Sequence, residues 1–193
     1  MVNLVNRIFR PKQSRLVRQL PAIPAGQRIY AIGDVHGRLD LFAALAQAIE
    51  KDDRNQGASN TSVILLGDLI DRGPNSARVV SMARAWSRGR KIRFLSGNHE
   101  EMFLLSFYKL GALRSFLRFG GVETLNSYGI SAETIASTPM HDLQKMLINA
   151  VPQEDREFLR EFETMIAIGN YLFVHAGIRP KTPISQQAGH DCR

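Results

Sequence analysis

Val63-Ile64-Leu65-Leu66 runs without interruption into Gly67-Asp68-Leu69-Ile70-Asp71-Arg72-Gly73-Pro74. A short apolar run stopped by glycine reads as a buried strand ending in a turn. Two carboxylates and a guanidinium follow within five residues. α/β sheets build sites at this place, because the backbone turns there and side chains can converge from neighbouring strands. Taken alone, the stretch also fits a polar turn with an Arg–Asp surface pair. The recurrence of the pattern elsewhere argues for a site.

Three more stretches repeat it. Arg28-Ile29-Tyr30-Ala31-Ile32 runs into Gly33-Asp34-Val35-His36-Gly37. Asp-x-His on extended backbone puts both side chains on one side, and carboxylate with imidazole suits a divalent transition metal. Lys91-Ile92-Arg93-Phe94-Leu95 leads to Ser96-Gly97-Asn98-His99-Glu100. Asn98 can offer a carbonyl oxygen to a cation, and His99 is either a second ligand or an acid–base group. In Ala167 to Gly177, Gly169-Asn170 reads as a hairpin turn, and Tyr171 to Val174 as an apolar strand delivering His175.

Helical patterns separate these strands. Phe42, Leu45, Ala46 and Ile49 recur at helical spacing, and the polar run Lys51 to Asn60 reads as a loop. The first two strands and this helix make a β–α–β unit with a right-handed crossover, which alone suggests a doubly wound sheet. A second helix is expected from Pro74 to about Arg88, with Val79, Val80, Met82, Ala83 and Trp86 on its apolar side and Gly89 at its end. A third should run from Glu100 through Tyr108. Residues 109–166 break into short pieces, with helix starts at Ser131, Thr138-Pro139 and Val151-Pro152. Phe158, Leu159, Phe162 and Met165 would line the buried face of the last piece. This block reads as a helical cover over the sheet.

Residues 1–27 form a basic extension, and the domain proper spans 28–193. No Asp or Glu precedes Asp34, whereas Arg7, Arg10, Lys12, Arg15 and Arg18 are cationic. Pro21, Pro24 and Gly26 make a stiff link. Val2, Leu4, Val5, Ile8 and Phe9 could form an amphipathic face, so a membrane-surface anchor, a transit peptide and a mobile or packed arm are all open.

Composition narrows the function classes. Of 193 residues, 44% are apolar and 22% charged, which fits a globular domain. No apolar run reaches the ~18 residues of a transmembrane helix. The single cysteine, Cys192, excludes an internal disulfide framework and fits a reducing, cytoplasmic setting. A net charge of +7 favours anionic partners, phosphate-bearing substrates among them. Nucleic acid is not expected, since residues 10–28 hold no interleaved aromatic residues. Oligomeric state is not legible.

The four strand ends thus offer Asp34, His36, Asp68, Asn98 and His175. This mixed oxygen and nitrogen set suits two divalent metals ~3.5–4 Å apart, with Asp68 as the shared carboxylate. Manganese, iron and zinc all accept these ligands, and the residues alone do not choose among them.

Gly33-Asp34-Val35-His36-Gly37, Gly67-Asp68-Leu69-Ile70-Asp71-Arg72-Gly73, Gly97-Asn98-His99-Glu100 and His175-Ala176-Gly177 closely resemble the signature blocks of the phosphoprotein phosphatases. These are calcineurin-like dinuclear metallophosphoesterases, and the resemblance points to their bacterial serine/threonine phosphatase branch over about Arg28 to Pro183. It implies an α/β fold: a central β-sandwich of mixed sheets flanked by helices, in place of a doubly wound sheet. It implies that Asp34 and His36 hold the first metal, that Asp68 bridges, and that Asn98 and His175 hold the second. A bridging hydroxide would attack phosphorus. Arg72 would grip the phosphate, and His99, oriented by Asp71, would protonate the leaving alkoxide. The implied substrate is a phosphorylated protein or peptide. A branch with a different substrate hydrolyses dinucleoside polyphosphates symmetrically, and an inactive metal-binding or scaffold form is the non-enzymatic alternative. Relatives usually continue with a further arginine, a strand and a Gly-His-Thr block, so the last strands are expected to be missing and the second metal to be weakly held. His190 has no strand before it, and His141 should lie on the surface of the cover.

Overall fold

A computed structural model describes residues 20–192. The arm through residue 19, with its expected amphipathic face, lies outside the described residues, as does the side chain of His190.

Three parallel strands form the centre: β1 (Gln27–Ile32), β2 (Asn60–Leu65) and β3 (Ile92–Phe94), in spatial order β1-β2-β3. β1 and β2 pair from Gln27 with Asn60 to Ile32 with Leu65, and β2 pairs Val63 with Ile92. Helix α1 (Leu39–Asn55) joins the first pair and α2 (Ser76–Gly89) the second. Central parallel strands are covered on both faces, which is why Val63, Ile64 and Leu65 form an unbroken apolar run and all are fully buried.

The period of two divides that run between layers. Val63 and Leu65 face the helices, packing with Phe42, Ile49, Val79 and Val80. Ile64 faces the other way and shares a smaller core with Leu95 and Ile166. Ile166 belongs to an antiparallel hairpin, β4 (Ile166–Ile168) and β5 (Tyr171–Phe173), turning at Gly169-Asn170 as expected. The fold is therefore α/β, with helices on one face of a parallel sheet and a second β-layer on the other. Parallel and antiparallel strands lie in separate sheets among the described residues.

The cover comprises α3 (Asn98–Ser106), α4 (Leu110–Phe116), a wide π turn (Leu117–Gly121), α5 (Val122–Ser127), α6 (Ala132–Ser137), α7 (Met140–Ala150) and α8 (Gln153–Arg160). Ser131 caps α6 by accepting from Thr134 N. Phe103, Leu113, Phe116, Leu125, Leu143, Leu147 and Leu159 of this block are buried in the main core. His141 is on the surface, its side chain 67% exposed. No helix among the described residues is long and apolar enough to cross a membrane.

Several boundaries differ from expectation, for physical reasons. The polar run after Glu50 is helical as far as Asn55, not a loop. Its charges tie the helix end to the sheet. Asp53 accepts from Arg28 and Thr61 at 2.6 Å each and from Arg90 at 2.8 Å. α8 ends at Arg160, so Phe162 and Met165 lie beyond it. Phe162 instead stacks on Phe94, while Glu163 bonds to the backbone of Phe94 and Ser96 and extends the sheet edge. The stiff link before β1 is docked, with Ala22 exchanging hydrogen bonds with Asn170.

α2 starts at Ser76, two residues after Pro74, because the preceding turn is held by another loop. Asn75 N donates to Gly37 O at 3.1 Å, and a Cβ on Gly73 would lie 2.1 Å from His36 O. Only a hydrogen fits there. Gly73→Ala should lower stability by about 2 kcal/mol or more, read as a fall in the urea midpoint, because backbone must move. An unchanged midpoint would show that the two loops are not in contact.

Candidate active site

The β1, β2 and β3 strand-end loops and the loop after β5 converge beyond the carboxyl ends of the parallel strands. Asp68 is at the centre, 4% exposed. Its Oδ2 lies 3.5 Å from His175 Nε2, 3.7 Å from His36 Nε2 and 3.9 Å from His99 Nε2. Asp34 Oδ2 is 3.7 Å from His36 Nε2, and Asn98 Oδ1 is 3.3 Å from His175 Nε2. Arg72 reaches His36 Nε2 at 2.9 Å and His99 Nε2 at 3.1 Å. Asp71 Oδ2 meets His99 Nδ1 at 2.6 Å. All eight residues singled out in the sequence are thus joined by short contacts.

The backbone there is strained. His36, Asp68, Asp71 and Arg72 all have φ between 44° and 73°, in the left-handed region that side chains disfavour. Each costs about 1 kcal/mol or more and persists only when surrounding bonds over-determine it. For Asp68 and its neighbours those bonds come from Glu100, whose importance the sequence signalled only by position. This fully buried carboxylate accepts from Asp68 N at 2.9 Å, Leu69 N at 2.8 Å and Gly97 N at 2.9 Å. It clamps the β2 loop to the β3 loop. The fit is close, since a Cβ on Gly97 would lie 2.0 Å from Asp68 Oδ1. Burial and the nearby Asp68 charge push Glu100 up to about 7.

The imidazoles fall into two kinds. His36 Nδ1 is 2.9 Å from Ile70 O and His175 Nδ1 is 2.7 Å from Leu66 O. A backbone carbonyl on Nδ1 places the proton there and turns Nε2 toward the cluster, the arrangement that orients metal-ligating histidines. His99 is held by a buried carboxylate instead. Among the described residues, two sets have ligand atoms within 4.8 Å of one another: Asp34, Asp68 and His175, and His36, Asp68 and His99. Asp68 belongs to both. The donors are oxygen and imidazole nitrogen without sulfur, and they suit borderline divalent cations.

Electrostatics follow from this crowding. Burial pushes Asp68 up, but His175 and His99 outweigh it and hold the carboxyl below its usual range. The bond to Asp68 raises His175 to about 9. Burial lowers His99, yet Asp71 and Asp68 more than offset that, so its affinity for a proton is raised. Burial raises Asp71 as well, and the pair holds its shared proton tightly.

A family model for calcineurin-like phosphoesterases matches residues 27–191, and the chain belongs to that family of metal-dependent hydrolases. It is 36% identical over 185 residues to Shewanella-like protein phosphatase 2 of Arabidopsis thaliana, covering 79% of this chain and 46% of that protein. It is 26% identical over 157 residues to the asymmetrical bis(5'-nucleosyl)-tetraphosphatase PrpE of Bacillus velezensis, covering 77% and 55%. A solved structure provisionally assigned as a diadenosine tetraphosphatase superposes with a TM-score of 0.58 at 20% identity, covering 90% of this chain and 60% of that one, and shares the fold. The chain spans about half the length of these two curated relatives.

A divalent cation that takes Nε2 of His175 must expel the proton that Asp68 keeps there. With its folded value raised to about 9, His175 is protonated at neutral pH and loses that proton only as pH rises toward 9. Cation affinity should therefore strengthen between pH 7 and 9, with proton release at pH 7. Calorimetry in buffers of different ionisation enthalpy checks this; binding heat independent of buffer would contradict it.

Proposed function

We propose that the chain is a metal-dependent phosphomonoesterase that removes phosphate from phosphoserine and phosphothreonine in proteins. The observation that carries this reading is the buried Asp71–His99 pair, aimed with Arg72 at the carboxylate-imidazole cluster. Asp34 and His36 are assigned to one divalent cation and Asn98 and His175 to the other, with Asp68 between them. Such a pair supplies Lewis acidity toward phosphoryl oxygens and acidifies water, and manganese, iron and zinc all suit the donor set.

The remaining steps belong to the chain's own side chains. Arg72 presents a planar fork to the phosphoryl oxygens and stabilises their charge in the transition state. The same guanidinium lies 2.9 Å from His36 Nε2 and 3.1 Å from His99 Nε2, at the mouth of the cluster it would share with phosphate. Asp71 fixes the His99 ring through Nδ1, leaving Nε2 to hand its proton to the serine or threonine oxygen as the P–O bond breaks. The proton affinity of His99 is raised on balance, since Asp71 and Asp68 outweigh the effect of burial.

Hydrolysis of a dinucleoside polyphosphate is the second reading. It is favoured by the names of relatives such as PrpE and the symmetrical bis(5'-nucleosyl)-tetraphosphatase of Hamiltonella defensa subsp. Acyrthosiphon pisum, which is 41% identical over 71 residues. The leaving groups separate the two. A nucleotide phosphate leaves readily as an anion, whereas an alkoxide is a strong base and needs a proton donor. An acid built as deeply as Asp71–His99 supports the alkyl phosphate. Residues 28–193 are read as the hydrolase domain and 1–27 as an extension, in a cytoplasmic protein.

The test compares a phosphoserine peptide with diadenosine tetraphosphate on the metal-reconstituted chain, beside Asp68→Asn. The peptide should be the better substrate, and Asp68→Asn should lose about 100-fold or more in kcat. Preference for the dinucleotide would establish the second reading. Equal rates for parent and variant would remove the shared-carboxylate mechanism.

A further inference from the structure

Asp71 and Arg72 are held in their left-handed conformation by a part of the chain that the signature stretches do not include. Thr124, fully buried in α5, lies 53 residues from Asp71. Its Oγ1 is 2.6 Å from Asp71 Oδ1, 2.9 Å from Asp71 N and 2.9 Å from Ser76 Oγ. The donor count fixes the directions. A hydroxyl has one proton, and the shortest of these contacts is to the carboxylate, so Thr124 donates to Asp71 Oδ1. It then accepts from Asp71 N and from the hydroxyl of Ser76. Four residues earlier, Gly120 O accepts from Arg72 N at 3.0 Å. That glycine lies at the kink between α4 and α5, where its φ is 107°.

We infer that Thr124 is a positioning residue for the phosphoryl-transfer site, holding Asp71 so that His99 Nε2 points at the leaving oxygen. The two oxygens of Asp71 are then separately engaged, Oδ1 by Thr124 and Oδ2 by His99 Nδ1. With Oδ1 released, the carboxylate can rotate about its last torsion and the imidazole follows it. The inference rests on reading His99 as the proton donor.

The test uses Thr124→Val, which keeps the shape and removes the hydroxyl, and Thr124→Ser, which keeps the hydroxyl. Two substrates are compared on the metal-loaded chain: a phosphoserine peptide, whose alkoxide needs a proton, and 4-nitrophenyl phosphate, whose leaving group does not. Thr124→Val should lower kcat on the peptide about 10- to 100-fold and on the aryl ester less than about 3-fold, with KM unchanged in both. Thr124→Ser should stay within about 3-fold of the parent on each. A merely structural role would lower both substrates together. The second readout needs no turnover: the downfield ring N–H proton signal of His99 in the metal-free chain should shift or vanish in Thr124→Val and persist in Thr124→Ser. If Thr124→Val does not fold, Thr124→Ala takes its place in both readouts. Equal losses on the two esters, no loss on either, or an unchanged His99 signal would overturn the inference. A parent inactive on both esters would defeat the phosphatase reading instead, and the proton signal would still decide the role of Thr124.

Discussion

Asp68 sits almost out of water with three imidazole nitrogens within 3.5–3.9 Å of one carboxylate oxygen. A charge so placed is tolerated only when it is partnered, and the partners come from loops far apart in sequence. The backbone beneath it is left-handed and clamped by the Glu100 carboxylate. The parallel register of β1, β2 and β3 brings these loops to one edge. Glycine at 97 lets the third loop approach to where any side chain would collide. Sheet, clamp and cluster are therefore one construction. His175 and His99 outweigh burial and hold the Asp68 carboxyl below its usual range.

Second partners distinguish the three histidines. A carbonyl on Nδ1 turns Nε2 of both His36 and His175 toward Asp68. His99 differs in having a buried carboxylate on Nδ1. Distance alone places His99 among possible ligands with His36 and Asp68. Its bond to Asp71, which Thr124 holds in turn, supports acid–base duty instead.

Much of this was legible in the sequence. Apolar runs stopped by glycine and followed by carboxylate, amide or imidazole located the ends of β1, β2 and β3, because strand period and turn chemistry are local. The hairpin turn at Gly169-Asn170 was legible for the same reason. The helical continuation from Lys51 to Asn55 was not. Polar residues carry no periodic signal, and the bonds that order them run from Asp53 to Arg28, Thr61 and Arg90. Thr124 was hidden too. A threonine within a short helix looks like any other until the fold brings it to a carboxylate 53 residues away. Glu100 stood beside His99 in plain view and its bond to Gly97 N is local, but its other two backbone partners, Asp68 and Leu69, reach it only in three dimensions.

The central claim is that one carboxylate, Asp68, serves two cations at once. Anomalous diffraction from manganese-soaked crystals tests it most directly. Two peaks about 3.5–4 Å apart are expected, one beside Asp34 and His36 and one beside Asn98 and His175, with Asp68 between. A single peak, or peaks that do not flank Asp68, would contradict it.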